Sequence, residues 1–174
     1  MDIYKILIFC MAFCLYNTIS DAKLAPEESD FINETFLEHD LKAKKLIIKG
    51  DLKKDIKLIM GKYYKKIIMK YWERDGKTLW ILNSIGKYKP ITAGFVVEKC
   101  SIKEAKVLIY REPIGYEIKY PNFLNKLVGL VIKENIKLDR NIDNISGATL
   151  SVNSMDRMAR TALILDNISN DNKC

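Results

Sequence analysis

Ile67-Ile68-Met69-Lys70-Tyr71-Trp72-Glu73-Arg74-Asp75-Gly76-Lys77-Thr78-Leu79-Trp80-Ile81-Leu82 reads as a β-hairpin. Ile67 to Glu73 is rich in β-branched and aromatic residues. Asp75-Gly76 is a strong two-residue turn signal, and Thr78 to Leu82 returns antiparallel. The strand pattern continues downstream. Gly86 to Pro90 is a loop, and Ile91, Ala93, Phe95 and Val97 alternate with other residues, which predicts one buried face. Glu98 to Ser101 is a turn and Ile102 to Tyr110 the next strand, so a second hairpin is expected. Trp72 and Trp80 read as sheet core.

Helical patterns flank these strands. Pro26-Glu27-Glu28-Ser29-Asp30 is a helix start that Ser29 or Asp30 can cap, followed by Ile32, Phe36, Leu37 and Leu41 at helical spacing. His39 is expected on the surface of that helix. Leu46-Ile47-Ile48 is a short apolar link or strand. Asp51 can cap a second helix with Leu52, Ile56, Ile59 and Met60 on one face, and Gly61 ends it. Downstream, Arg111 to Glu117 is a loop, Pro121-Asn122 opens a short helix, and Leu130 to Ile136 is a brief strand or loop. Val152, Met155, Ala159, Ala162 and Leu163 mark the face of a last helix, and 167–174 is a polar tail. The order predicts an α+β fold with a mostly antiparallel sheet, helices at the N-terminus and a C-terminal helix. The expected division is 1–22, 23–61 (helical), 62–168 (the main domain) and 169–174.

The chain has 174 residues, 48% hydrophobic and 29% charged, with a net charge of +7. That composition is globular rather than disordered. The basicity comes mostly from Lys, densest between Lys42 and Lys70. A solvated face is the plain reading of that stretch; contact with an anionic membrane or an acidic partner is the alternative. Nucleic acid is not an expected partner, because the Arg residues are scattered and no nucleic-acid motif occurs. A single His and the lack of any Cys-x-x-Cys speak against zinc. Cys100 and Cys174 can pair, or Cys174 can simply dangle. Lys5 followed by the apolar run Ile6 to Tyr16, too short to span a bilayer, reads as a secretory signal. Small residues at Ser20 and Ala22 predict cleavage after Ala22 and an exported, soluble mature protein. An uncleaved anchor is the alternative, and a lipoprotein reading of Cys14 is weak because Phe13 precedes it.

The stretch richest in chemical meaning is Asp143-Asn144-Ile145-Ser146-Gly147-Ala148-Thr149-Leu150-Ser151. A Ser-Gly-Ala turn lets backbone approach a ligand closely. The Thr149 hydroxyl then sits at a helix start, where free N–H groups favour a phosphate. A helix start without a ligand is the plainer alternative.

Asp143-x-x-Ser146-Gly147-Ala148-Thr149 resembles the flavinylation motif of FMN-binding domains, found in exported subunits of sodium-translocating NADH:quinone reductase, in the Rnf complex and in free-standing extracytoplasmic flavoproteins. Trp80-Ile81-Leu82-x-x-Ile85-Gly86-Lys87 and Pro90-Ile91-Thr92-x-Gly94 are similar to the first core strands of the free-standing members. Arg111-Glu112-Pro113-x-Gly115-Tyr116-Glu117 is similar to the family's loop beside the flavin, and Phe123 fits the helix after it. The likeness covers about residues 60–166. Lys99-Cys100 replaces the family's usual Asp-Gly turn, which is expected to change the turn and to place a thiol at the surface. The transmembrane anchor of the reductase subunits has no counterpart, so a soluble relative is implied.

The resemblance implies FMN as cofactor, joined through its phosphate to Thr149 by a flavin transferase. It implies that Asp143 and Ser146 shape the loop read by that transferase, and that Gly147 and Ala148 permit close approach. The Leu150 and Ser151 backbone would hold the phosphate, while Glu112, Ile114, Gly115 and Tyr116 would line the ring. Thr149 has no neighbouring base in sequence and is a poor nucleophile unaided. The expected role is an electron carrier between a membrane redox donor and an extracytoplasmic acceptor, rather than a substrate-specific enzyme; the alternatives are a non-covalent FMN-binding module and an exported binding or scaffold domain without flavin.

Overall fold

Asp75 and Gly76 both adopt left-handed backbone, with φ of 49° and 75°, the geometry a two-residue hairpin turn needs. The turn joins β2 (Ile68–Arg74) to β3 (Lys77–Ile85) with Arg74 opposite Lys77. The computed structural model in which this is seen describes residues 23–39, 41–61, 64–171 and 174. The secretory-signal reading of 1–22 lies outside them.

A second hairpin follows. β4 (Pro90–Glu98) pairs along its whole length with β3, and β5 (Ser101–Ile109) pairs with β4 on the other side. Lys99 and Cys100 form the turn between them with φ of 50° and 62°. The departure from Asp-Gly therefore leaves the two-residue, left-handed turn intact. It also leaves no surface thiol: Cys100 is disulfide-bonded to Cys174, which does not dangle.

The sheet gains a fifth strand from upstream. β1 (Lys44–Ile47) pairs antiparallel with β2, giving the order β1-β2-β3-β4-β5. Its neighbours in sequence are α1 (Pro26–Phe36) and α2 (Gly50–Met60). The α+β class is therefore observed, and the open link-or-strand question at Leu46-Ile47 resolves to an edge strand. A two-stranded ribbon, β6 (Ile132–Lys133) with β7 (Lys137–Leu138), and the short α3 (Pro121–Leu124) lead to α4 (Thr149–Ser169).

Both faces of the sheet are covered. On one, Trp80, Leu82, Phe95 and Val97 pack with Met155, Met158, Ala159 and Ala162 of α4 and Leu52 and Ile56 of α2. On the other, Phe31 and Ile32 of α1 pack with Trp72, Leu79 and Val96. β4 is consequently buried on both faces over Ile91–Val97, where alternation alone predicts one. The fit of α1 depends on Gly94: a Cβ there would lie 2.3 Å from the Phe31 ring.

Three expectations for the helices change. α1 is capped at Ala25, whose N–H donates to Glu28 Oε2 at 2.9 Å, with Pro26 in the first turn, so neither Ser29 nor Asp30 caps it. Leu37 ends the helix in left-handed backbone at 92% exposure, and exposed His39 follows in a turn. α2 is capped at Lys49 rather than Asp51, which lies in the first turn beside Lys54.

The far end of α4 is fastened. Thr78 Oγ1 donates to Asp166 Oδ1 at 2.5 Å, and Trp80 Nε1 donates to Thr78 Oγ1 at 2.9 Å. Asn170 Nδ2 reaches the same carboxylate at 3.0 Å, and Cys174 N–H reaches Asn167 Oδ1 at 3.1 Å. Burial pushes the Asp166 carboxyl above its ordinary range, although the bonds from Thr78 and Asn170 oppose this.

Candidate functional site at the start of the C-terminal helix

The chain turns sharply before α4. Gly147 has a φ of 78°, the Ala148 N–H donates to Ile145 O at 2.9 Å, and buried Ala148 forms the helix cap. The first helical bond runs from Val152 N–H to Ala148 O at 2.9 Å. The N–H groups of Thr149, Leu150 and Ser151 therefore lack intrahelical acceptors, at the positive end of a 21-residue helix with no acid in its first turn. An anion is the natural complement of that arrangement.

A cleft of about 210 Å³ opens there, lined by residues 147–151 together with Lys87 and Ile114. The motif and the Arg111–Glu117 loop, far apart in sequence, thus share one surface. The fastening between them is Tyr110. Its Oη donates to Ile114 O at 2.5 Å and lies 3.2 Å from Ser151 Oγ. The phenol has one proton, so Ser151 must be the donor in the second bond. Burial raises the Tyr110 pKa, against the pull of Ser151.

Gly115 sits inside this contact. Its φ is 84°, and a Cβ would meet Ser151 Oγ at 2.9 Å, Tyr110 Oη at 3.1 Å and Ala148 Cβ at 3.3 Å. A residue without a side chain is what lets the loop press against the helix start.

Glu112 ties in the third segment. Buried at 8% exposure, it accepts from the N–H groups of Tyr88 at 2.7 Å and Lys89 at 2.9 Å through Oε1. Burial pushes its carboxyl up, but the backbone N–H groups of Lys89, Tyr88 and Lys87 and the Lys87 charge outweigh that, holding it below its ordinary value. Its Oε2 has no hydrogen-bond partner among the described residues. Glu112 thereby holds the β3–β4 loop, which carries Lys87 to the rim of the cleft. The Lys87 ammonium lies 4.9 Å from the Tyr88 ring centre, and its pKa is raised by its hydrogen bond with Tyr88.

The structure places the sequence-identified residues unequally. Gly147, Ala148, Thr149, Leu150, Ser151 and Ile114 line the cleft. Gly115 lies behind it, and Glu112 braces the neighbouring loop. Tyr116 is exposed and edge-on to Tyr120, with ring centres 5.9 Å apart. Ser146 belongs to the turn, and exposed Asp143 pairs with Lys126 at 3.1 Å. Lys87 and Tyr110 also belong to the site, with little signal in the sequence. Lys87 is one of many lysines, and only its following of Gly86 in a loop hints at a role. Tyr110 reads simply as the end of a strand. A larger cleft, about 560 Å³, lies between Leu58–Gly61 and Ser84, Ile85 and Arg157. Its guanidinium is already spent on Ser84 Oγ and Ile85 O.

The site can hold an anion and present a hydroxyl beside it. Among the residues lining the cleft, Lys87 is the one titratable group, so no base is at hand to activate Thr149. Residues 86–164, from the β3–β4 loop through most of α4, match the family model described as FMN-binding domain. No curated protein matches the chain.

Proposed function

The chain belongs to the FMN-binding domain family through residues 86–164 and has FMN as its cofactor; from that premise we propose that it is an exported electron carrier with FMN attached through its phosphate to Thr149. The observation that carries this reading is the cleft, lined by Lys87 and by Thr149, Leu150 and Ser151, whose N–H groups have no acceptor among the described residues. These residues suit a phosphate group. At about 210 Å³ the cleft is smaller than the roughly 300–1,000 Å³ of pockets that enclose a whole drug-sized ligand. It suits the phosphate end of FMN and leaves the ring against exposed Ile114 and Leu150, within reach of a partner. FMN supplies electron-transfer chemistry when bound. The chain's own residues bind, orient and tether it.

Attachment replaces the Thr149 O–H bond with an O–P ester and expels the group previously held by that phosphorus. The donor is therefore a flavin whose phosphate already carries a nucleotide leaving group, and a flavin transferase supplies the missing base. Asp143 and Ser146, both exposed, suit recognition by that enzyme. Two features support export. The Cys100–Cys174 disulfide is a bond that persists in oxidising compartments. The residues before Lys23 also have the composition of a secretory signal. The donor proposed is a membrane-associated redox protein.

Mass spectrometry of protein produced with a flavin transferase tests the tether. The expected result is a gain equal to FMN less one water on the peptide containing Thr149, absent from Thr149→Ala. A yellow protein that loses all colour on denaturation and filtration would instead establish non-covalent binding.

A further inference from the structure

We infer that the β1 edge and the adjoining end of the sheet form a docking surface for an anionic lipid bilayer. The first ground is charge. Eleven of the chain's 29 Lys and Arg residues lie between 42 and 70, with only two of its 22 Asp and Glu residues, so that stretch is +9 and the rest −2. The basicity is a local feature, and local positive fields attract anionic surfaces.

The second ground is a set of exposed apolar side chains in the same stretch of sequence, along the β1 edge and on the adjoining helix. Ile47 is 58% exposed, Ile67 59%, Ile68 53% and Leu58 77%. Ile47 and Ile68 are cross-strand partners, so their side chains share one face. Lysines on an edge strand guard against pairing with another strand. That role leaves unexplained the exposed Lys49, Lys53 and Lys57 of the α2 segment, one turn apart, and the bare isoleucines of β1 and β2. Apolar side chains protruding from a cationic surface match a headgroup region over acyl chains.

The third ground is position. The pairing of Tyr71 with Trp80, continued along β2 and β3, sets Ile68 beside Asn83, and these two residues line a common cleft. Asn83 pairs with Thr92, just before the β3–β4 loop that carries Lys87. The patch and the flavin cleft therefore belong to the same end of the sheet. Exposed Ile85 and Tyr88 lie there too. A bilayer held by the patch would keep the cleft near the membrane.

Co-sedimentation of the full chain with phosphatidylglycerol and with phosphatidylcholine vesicles tests this. The expected result is binding to the first alone, released by high salt. Lys45→Gln/Lys49→Gln/Lys65→Gln is expected to weaken it by about 100-fold, at roughly fivefold for each lysine charge removed. Leu58→Asn/Ile67→Asn is expected to weaken it severalfold with the thermal midpoint unchanged. Flavin absorbance, unchanged in both variants, separates this inference from the cofactor reading. Equal binding to both lipids, no binding, or wild-type affinity in the triple variant would overturn it; the last would assign binding to residues 1–22.

Discussion

The two ends of α4 are opposites. At Ser169 the helix is bolted: Asp166 is buried within a chain of hydrogen bonds through Thr78 to Trp80, and Cys174 is covalently joined to the β4–β5 turn. At Thr149 it is open, with three free N–H groups, small residues and a solvent-facing hydroxyl. A helix start with unmet donors is a poor place to gain stability and a good place to receive a ligand. The contrast teaches that the stability of this helix is invested at one end so that the other can be left incomplete.

Cutting the bolt is the strongest way to test that division. Cys100→Ser opens a loop closed across a sequence separation of 74 residues, and chain entropy puts the expected loss at about 4 kcal/mol. Denaturant unfolding measures it, and the flavin spectrum of the folded variant should not change. Gly115→Val attacks the other end. It forces a β-branched residue into φ of 84° and into Ser151 Oγ, for an expected cost of about 3 kcal/mol. Here flavin retention should fall along with stability, which separates the two variants.

A smaller effect distinguishes the ends by acid. Glu112 releases its proton more readily folded than unfolded, so its stabilisation is full above the ordinary carboxylate range and is lost as pH falls through its lowered value. Asp166 has the reverse shift, so its contribution grows as acid protonates it. Amide exchange at pH below the ordinary carboxylate range should therefore rise at Tyr88 and Lys89 while Asn170 stays protected. Glu112→Gln, which keeps an acceptor but loses the charge, should cost about 1 kcal/mol near neutrality and remove the acid sensitivity of the loop. Smallest is Lys87→Met, expected to weaken FMN binding by roughly fivefold in a Thr149→Ala background while leaving riboflavin, which has no phosphate, unaffected. Equal losses for both flavins would remove Lys87 from the phosphate site.

Much of this was legible in the residues. The Asp75-Gly76 turn, the strands on either side and the apolar face of α4 follow from local chemistry, and the Ser146-Gly147-Ala148 turn announces the helix start. What stayed hidden depends on distant partners. Alternation in β4 cannot disclose that Phe31 covers its second face, because that contact exists only once α1 has been placed. Leu46-Ile47 has too few residues to distinguish a link from an edge strand. The roles of Tyr110 and Lys87 arise from bonds across 41 residues to Ser151 and 24 residues between Glu112 and the β3–β4 loop. No spacing rule joins such positions.

The notch at Gly94 has a kinetic consequence. The β2–β3 and β4–β5 hairpins close through two-residue turns and a four-residue loop joins them, so these strands can assemble locally. Phe31 finds its seat only after β4 lies between its neighbours, so docking of α1 belongs late in folding. Shrinking that ring, as in Phe31→Leu, should hasten unfolding far more than it slows folding. The helix α1 is thus a keystone, set last into an arch that already stands.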